Sequence, residues 1–116
     1  MKIHRLYADK NGESHFETVE IPLPEASRAG RLSERMPATG IIFREVMPDY
    51  DLDWHPAPRR QYVVTVSGES EVVIGDGTRI RLYPGKVMLV EDTTGQGHIS
   101  KAIGDKDRIS LFLPLE

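Results

Sequence analysis

At 116 residues the chain is long enough for one domain built on one core. Its 15 Lys and Arg stand against 18 Asp and Glu and are dispersed, so the concentrated positive charge that binds nucleic acid is missing. With no Cys, disulfides and thiolate metal sites are excluded, and any metal must rely on His, carboxylate or amide groups.

The chain opens on MKIHRLYADKNGE, which holds no apolar run of signal-peptide length, and no span of about 18 apolar residues occurs anywhere. A cytoplasmic protein without a membrane segment is expected. KIHRLYA and HFETVEIPL alternate in polarity and read as strands. The next segment, EASRAGRLSERM from Glu25 to Met36, differs: Ala26, Ala29, Leu32 and Met36 recur at roughly helical spacing around Gly30, which predicts a short helix or a covering loop. Pro22, Pro24 and Pro37 bracket it as a connection.

From there TGIIFREVM, QYVVTVSG, ESEVVIG, TRIRLY, KVMLVE, HISKAI and RISLFLPL each read as a strand. Gly75, Asp76 and Gly77 can take positive φ and close a tight hairpin between Ile74 and Thr78. In the last strand Ile109, Leu111 and Leu113 share one face, and Ser110 and Phe112 the other. Short strands separated by Gly and Pro turns predict an all-β sandwich or barrel.

Two polar clusters interrupt this pattern. WHPAPRRQYVVTVSG gathers His55, Arg59, Arg60 and Gln61 at the entrance to an apolar strand, and EDTTGQGH ends a Gly-rich turn on His98. Alternation points Gln61, Val63 and Thr65 the same way, and an amide that leads a buried strand must find hydrogen-bond partners. Pro56 and Pro58 impose extended backbone just before it. No helix is expected after TTGQG, so its glycines read as a loop path rather than a phosphate cradle.

This layout resembles the cupin superfamily, in particular its small single-domain bacterial members, whose motifs run G-x5-H-x-H-x(3,4)-E-x6-G and G-x5-P-x-G-x2-H-x3-N. His55 stands at the first His, Gln61 at the Glu and Gly68 at the closing Gly; Thr93, Gly95 and His98 stand at the Pro, Gly and His of the second motif. The sequence departs from the pattern at Ala57, where the second His would fall, at Gln61, and at Ala102 in place of Asn. Two extra residues also separate Gly85 from Thr93. The resemblance spans about residues 39 to 114. It implies a double-stranded β-helix, a jelly-roll barrel around one pocket, within a single domain 1–116 whose residues 1–38 add N-terminal strands and a covering loop.

The same resemblance implies a divalent transition metal, Zn, Fe, Ni or Mn, held by His55, Gln61 and His98 with positions open to water or substrate. Arg59, Trp54, Asp92 and Thr93 are the candidates for contacting a small organic substrate, Arg59 through a carboxylate. Dioxygenase, isomerase and lyase chemistry all suit such a barrel, and the fold does not choose among them. The loss of a His at Ala57 and of a carboxylate at Gln61 favours the competing expectation, a barrel with no metal that binds a small molecule without catalysis. His4 and His15 have no partners at ligand spacing and read as structural or exposed. Cupins commonly pair, so a homodimer is expected, with KIHRLYA or HFETVEIPL extending a neighbour's sheet.

Overall fold

The computed structural model describes residues 1–116, apart from the side chain of Glu25. Its strands are β1 (Lys2–Ala8), β2 (Ser14–Glu20), β3 (Glu25–Ser27), β4 (Gly30–Leu32), β5 (Ile42–Val46), β6 (Asp51–His55), β7 (Gln61–Ser67), β8 (Glu69–Val73), β9 (Arg79–Leu82), β10 (Val87–Glu91), β11 (His98–Ile103) and β12 (Arg108–Pro114). A six-stranded sheet in the order β2-β1-β10-β7-β12-β5 faces a four-stranded sheet in the order β6-β11-β8-β9, and β3 and β4 form a separate hairpin. No helix is long and apolar enough to cross a membrane.

The alternation read from the sequence places the core. Val63 on β7 and Met88 and Val90 on β10 are buried from the larger sheet, and Val72 on β8 and Leu82 on β9 from the smaller. Leu6 on β1 completes this set, because β1 runs parallel to β10 with Leu6 opposite Val90. The barrel wall therefore reaches back to the first strand and does not start near residue 39. β1 is also paired with β2 along its other edge, so KIHRLYA has no free edge to offer a neighbour; the larger sheet ends on β2 and β5.

Three local readings are corrected. EASRAGRLSERM contains no helix: β3 and β4 pair with Ser27 opposite Gly30, Gly30 sits at φ +101°, and the Ala29 N–H donates to the Ser27 hydroxyl at 3.1 Å. Positive φ at Gly30 and a side chain capping the turn are both incompatible with a continuous helical ladder. DLDWH, unremarked in the sequence, is a strand because β11 pairs with it. At the hairpin between Ile74 and Thr78, Gly77 takes positive φ, +89°, and Gly75 does not; the Asp76 carboxylate accepts the Thr78 N–H at 2.8 Å.

Strand β12 alternates as expected, but its inward set is the polar one. Arg108 and Ser110 are buried while Ile109 is 37% exposed. Hydrophobicity alone would turn this strand the other way, and its position between β7 and β5 overrides it.

Glu91, at the end of β10, ties three segments together. Arg5 Nε on β1 donates to it at 2.5 Å and Arg60 Nη2 lies 2.6 Å away, while Arg5 also reaches Glu17 on β2 at 2.7 Å. Burial works to raise the Glu91 carboxyl, but the hydrogen bonds from Arg5 and Arg60 outweigh it and hold the pKa below the ordinary 4.5. A carboxyl depressed on folding stabilises the fold above its unfolded pKa and loses that contribution as pH falls through the folded value. Glu91→Gln is therefore expected to be less stable than wild type at neutral pH, with the gap closing as pH drops below 4.5, in urea unfolding followed across a pH series.

Gly97 and Gly77 both hold positive φ, at +76° and +89°, but only Gly97 is crowded: a Cβ there would fall on the His55 carbonyl, whereas nothing lies within 4 Å of one at Gly77. Gly97→Ala should cost about 3 kcal/mol or more and Gly77→Ala about 1 kcal/mol, measured by the same unfolding method.

Candidate functional site

Between the sheets lies a cavity of about 380 Å³. Most of its wall is apolar, from Leu6, Val63, Val72, Leu82, Met88 and Val90, and polar groups gather in two places.

The first is built by β6 against β11. These strands run antiparallel with His98 opposite His55, and a register shift follows between His98 and Ser100. The cross-strand pair brings the two rings to a centroid separation of 4.4 Å at 56°. His55 Nδ1 donates to the Asp53 carbonyl at 2.8 Å. His98 Nδ1 meets Asp92 Oδ2 at 2.7 Å, and the Ser14 hydroxyl donates to the same oxygen at 2.8 Å. Asp92 is fully buried, and its backbone carbonyl accepts the Ala57 N–H at 2.9 Å, which fastens HPAP to the Asp92 loop. Because each Nδ1 is engaged, each ring keeps Nε2 for another partner. Gln61, 4% exposed, lines the same cavity, and its Oε1 accepts from Arg59 Nη1 at 3.1 Å.

The second place lies along β7 from Gln61. Thr65 lies four positions beyond Gln61 on the same face of the strand, roughly 13 Å away. Here Arg108, 3% exposed, donates from Nη2 to Thr65 Oγ1 at 3.0 Å. Ser110 on the same strand pairs with Thr65 on one side and Arg44 of β5 on the other. The Arg44 guanidinium lies over Tyr50 at 4.7 Å and Phe112 at 5.4 Å. Both arginines and Tyr50 line the cavity, and among the described residues no Asp or Glu does. Neither arginine has an ion pair among the described residues. Burial first, and repulsion from Arg44 second, push the Arg108 pKa down to about 10, so it stays cationic at neutral pH.

Of the residues singled out in the sequence, His55, Gln61 and His98 line one cavity and Arg59, Trp54, Asp92 and Thr93 do not. Arg59 is exposed and touches the cavity only through Gln61. Trp54 is 38% exposed and Thr93 lies on the surface. Asp92 stands behind His98 and reaches a ligand only through that ring. Arg60 points outward to Glu91 and Glu116. Arg108, Arg44 and Ser110 escaped sequence reasoning. The available signal was polar residues at alternate positions inside strands of apolar character, in RISLF and IIFRE.

The donor set bears on the metal. Two imidazoles with fixed Nδ1 partners are suitable ligands, but the Gln61 oxygen already accepts from a guanidinium and no lining carboxylate supplies negative charge. These residues do not fit a two-His, one-carboxylate centre. A separate set of groups able to hold a metal lies at the β1–β2 turn, where ligand atoms of Asp9, Glu13 and His15 fall within 4.8 Å of one another. His15 Nε2 is 2.7 Å from Asp9 Oδ2, so this histidine has the acidic partners that its sequence context concealed. The hydrogen bond to His15 first, then the Glu13 N–H, hold the Asp9 carboxyl below its ordinary range.

No protein-family model matches this sequence, and no curated protein matches it. Solved structures share its fold. Protein NMB1881 from Neisseria meningitidis is 18% identical, with a TM-score of 0.51 over 70% of this chain and 79% of that one. The Cnp3 cupin domain of Schizosaccharomyces pombe is 16% identical, with a TM-score of 0.50 over 99% of this chain and 83% of that one. Likeness at this identity speaks for architecture alone. Two facing sheets around a single cavity, together with these neighbours, make the chain a cupin-fold protein, an all-β jelly roll of the double-stranded β-helix kind.

Proposed function

We propose that the chain binds a small organic molecule in the barrel cavity, with His55 and His98 as polar contacts and His98 as the group that exchanges a proton with it. The observation that carries this reading is the buried Asp92–His98 contact at 2.7 Å. A fully buried carboxylate is costly unless it is hydrogen-bonded, and here the bonds from Ser14 and one imidazole both fall on Oδ2, while Oδ1 has no partner. Turning the ring would strand that carboxylate, so its orientation is held and Nε2 is left for a ligand. An imidazole held this way can exchange a proton with a hydroxyl or an activated C–H of a bound molecule. Isomerase or lyase chemistry is the enzymatic form of this reading, and binding without turnover is its simpler form. A cavity of about 380 Å³ lies within the usual range for small-molecule sites.

A second reading, a metal held by His55, Gln61 and His98, draws support from the engaged Nδ1 atoms, since metal-bound imidazoles ordinarily donate from their other nitrogen. Such an ion would polarise a carbonyl or hydroxyl. Against it stand Arg44 and Arg108, two cations in the same cavity, and the Arg59 contact that occupies Gln61.

Melting temperature with and without Zn, Ni, Mn or Fe(II), together with metal analysis of purified protein, separates the two. The organic-ligand reading expects no metal response that depends on His98. One metal per chain, stabilising wild type by about 2.7 kcal/mol at a hundredfold excess over Kd and lost in His98→Ala, would establish the metal instead. Independently, Asp92→Ala should cost about 2 kcal/mol, because it leaves the Ser14 and His98 donors buried without an acceptor.

A further inference from the structure

We infer that the cavity's ligand is a small organic acid, its carboxylate received by Arg108 and Arg44 and its apolar body lying along Phe112 and Met88. The inference rests on the reading that this cavity takes an organic molecule, and it assigns the chemical class.

Arg108 is the starting point. A guanidinium carries five donors and is always charged in water. Here it is 3% exposed, its described partner is the neutral Thr65 hydroxyl, and its Nε has no partner. The Ser110 hydroxyl, two residues along the same strand, is also buried without one. A buried charge without a counter-ion is destabilising, and an apolar side chain of similar length would serve the fold better.

Arg44 makes the arrangement more costly and more informative. It pairs across the sheet with Ser110 and lines the same cavity, so a second cation stands there, and burial first and repulsion from Arg44 second lower the proton affinity of Arg108. Among the described residues no lining carboxylate offsets either charge. The missing component is an anion, and a planar carboxylate matches the fork of guanidinium donors with two parallel hydrogen bonds.

The remainder of the lining sets the rest of the molecule. Val63, Leu82, Met88 and Phe112 offer hydrocarbon, and about 380 Å³ accommodates roughly a dozen water-sized groups at about 30 Å³ each. A bare inorganic anion would leave that apolar wall uncovered. With Gln61 and Thr65 roughly 13 Å apart on β7, an acid held at Arg108 directs its other end toward the imidazoles.

Calorimetric titration of the full chain with hexanoate and phenylacetate, their primary amides, and inorganic phosphate tests this. The acids are expected to bind roughly 30-fold more tightly than the amides, with no response to phosphate. Arg108→Met should bring the acids down to the amide level while leaving the ligand-free protein at least as heat-stable as wild type.

Equal binding of acid and amide overturns the inference and leaves the pocket reading standing. No binding of either overturns both. Acid preference that survives Arg108→Met, or phosphate binding as tight as the acids, also overturns it. Should Arg108→Met fail to fold, the acid–amide contrast in wild type and its loss in Arg44→Met carry the same decision.

Discussion

The contact on which the candidate site depends is the pairing of β6 with β11. His55 and His98 stand forty-three positions apart in the chain, and only this antiparallel register sets them opposite one another. The register is held at the point where the loop enters β11: Gly97 passes so close to the His55 carbonyl that no side chain fits, and the Ala57 N–H is bonded to the Asp92 carbonyl. Asp92 then fixes His98, and Ser14 from the N-terminal half fixes Asp92. A chain of short polar contacts thus crosses from one sheet to the other at one end of the cavity.

The cavity has two ends of different electrostatic character. At the imidazole end each Nδ1 has a partner, while Asp92 Oδ1 has none and the two Nε2 atoms are left for a ligand. At the arginine end two guanidiniums line the cavity with no opposing charge among the described residues, and the Ser110 hydroxyl beside them is buried without a partner. Folding alone does not favour such an arrangement, because burying unpaired cations opposes it. The opposite design appears at Glu91, where burial is offset by two arginines and the carboxylate stays ionised. One protein therefore contains a charge cluster that is closed and one that is open.

Much of the architecture was legible because β-strand burial leaves a period-two trace. Gln61, Val63 and Thr65 were read as one face of β7, and all three are buried. The segment from Glu25 to Met36 misled because four apolar residues can imitate helical spacing, while a Gly in the middle decides for a turn. DLDWH was missed because its residues are mostly exposed, so pairing rather than burial makes it a strand. The pocket's imidazoles and amide were found through motif spacing, whereas its arginines were not, since Arg in an alternating strand reads as the solvent side.

From the amino-acid order alone came the all-β class and most of its strands, because local periodicity and the placing of glycines are written into neighbouring positions, while His55, Gln61 and His98 were brought together by the resemblance of their spacing to the cupin motifs. Tertiary structure decided which face of β12 turns inward, which arginine enters the cavity, that Asp92 serves a histidine and not a ligand, and that β1 belongs to the wall. Each of these follows from pairing between strands distant in sequence, and a register shifted by one residue would exchange every inward side chain for its outward neighbour.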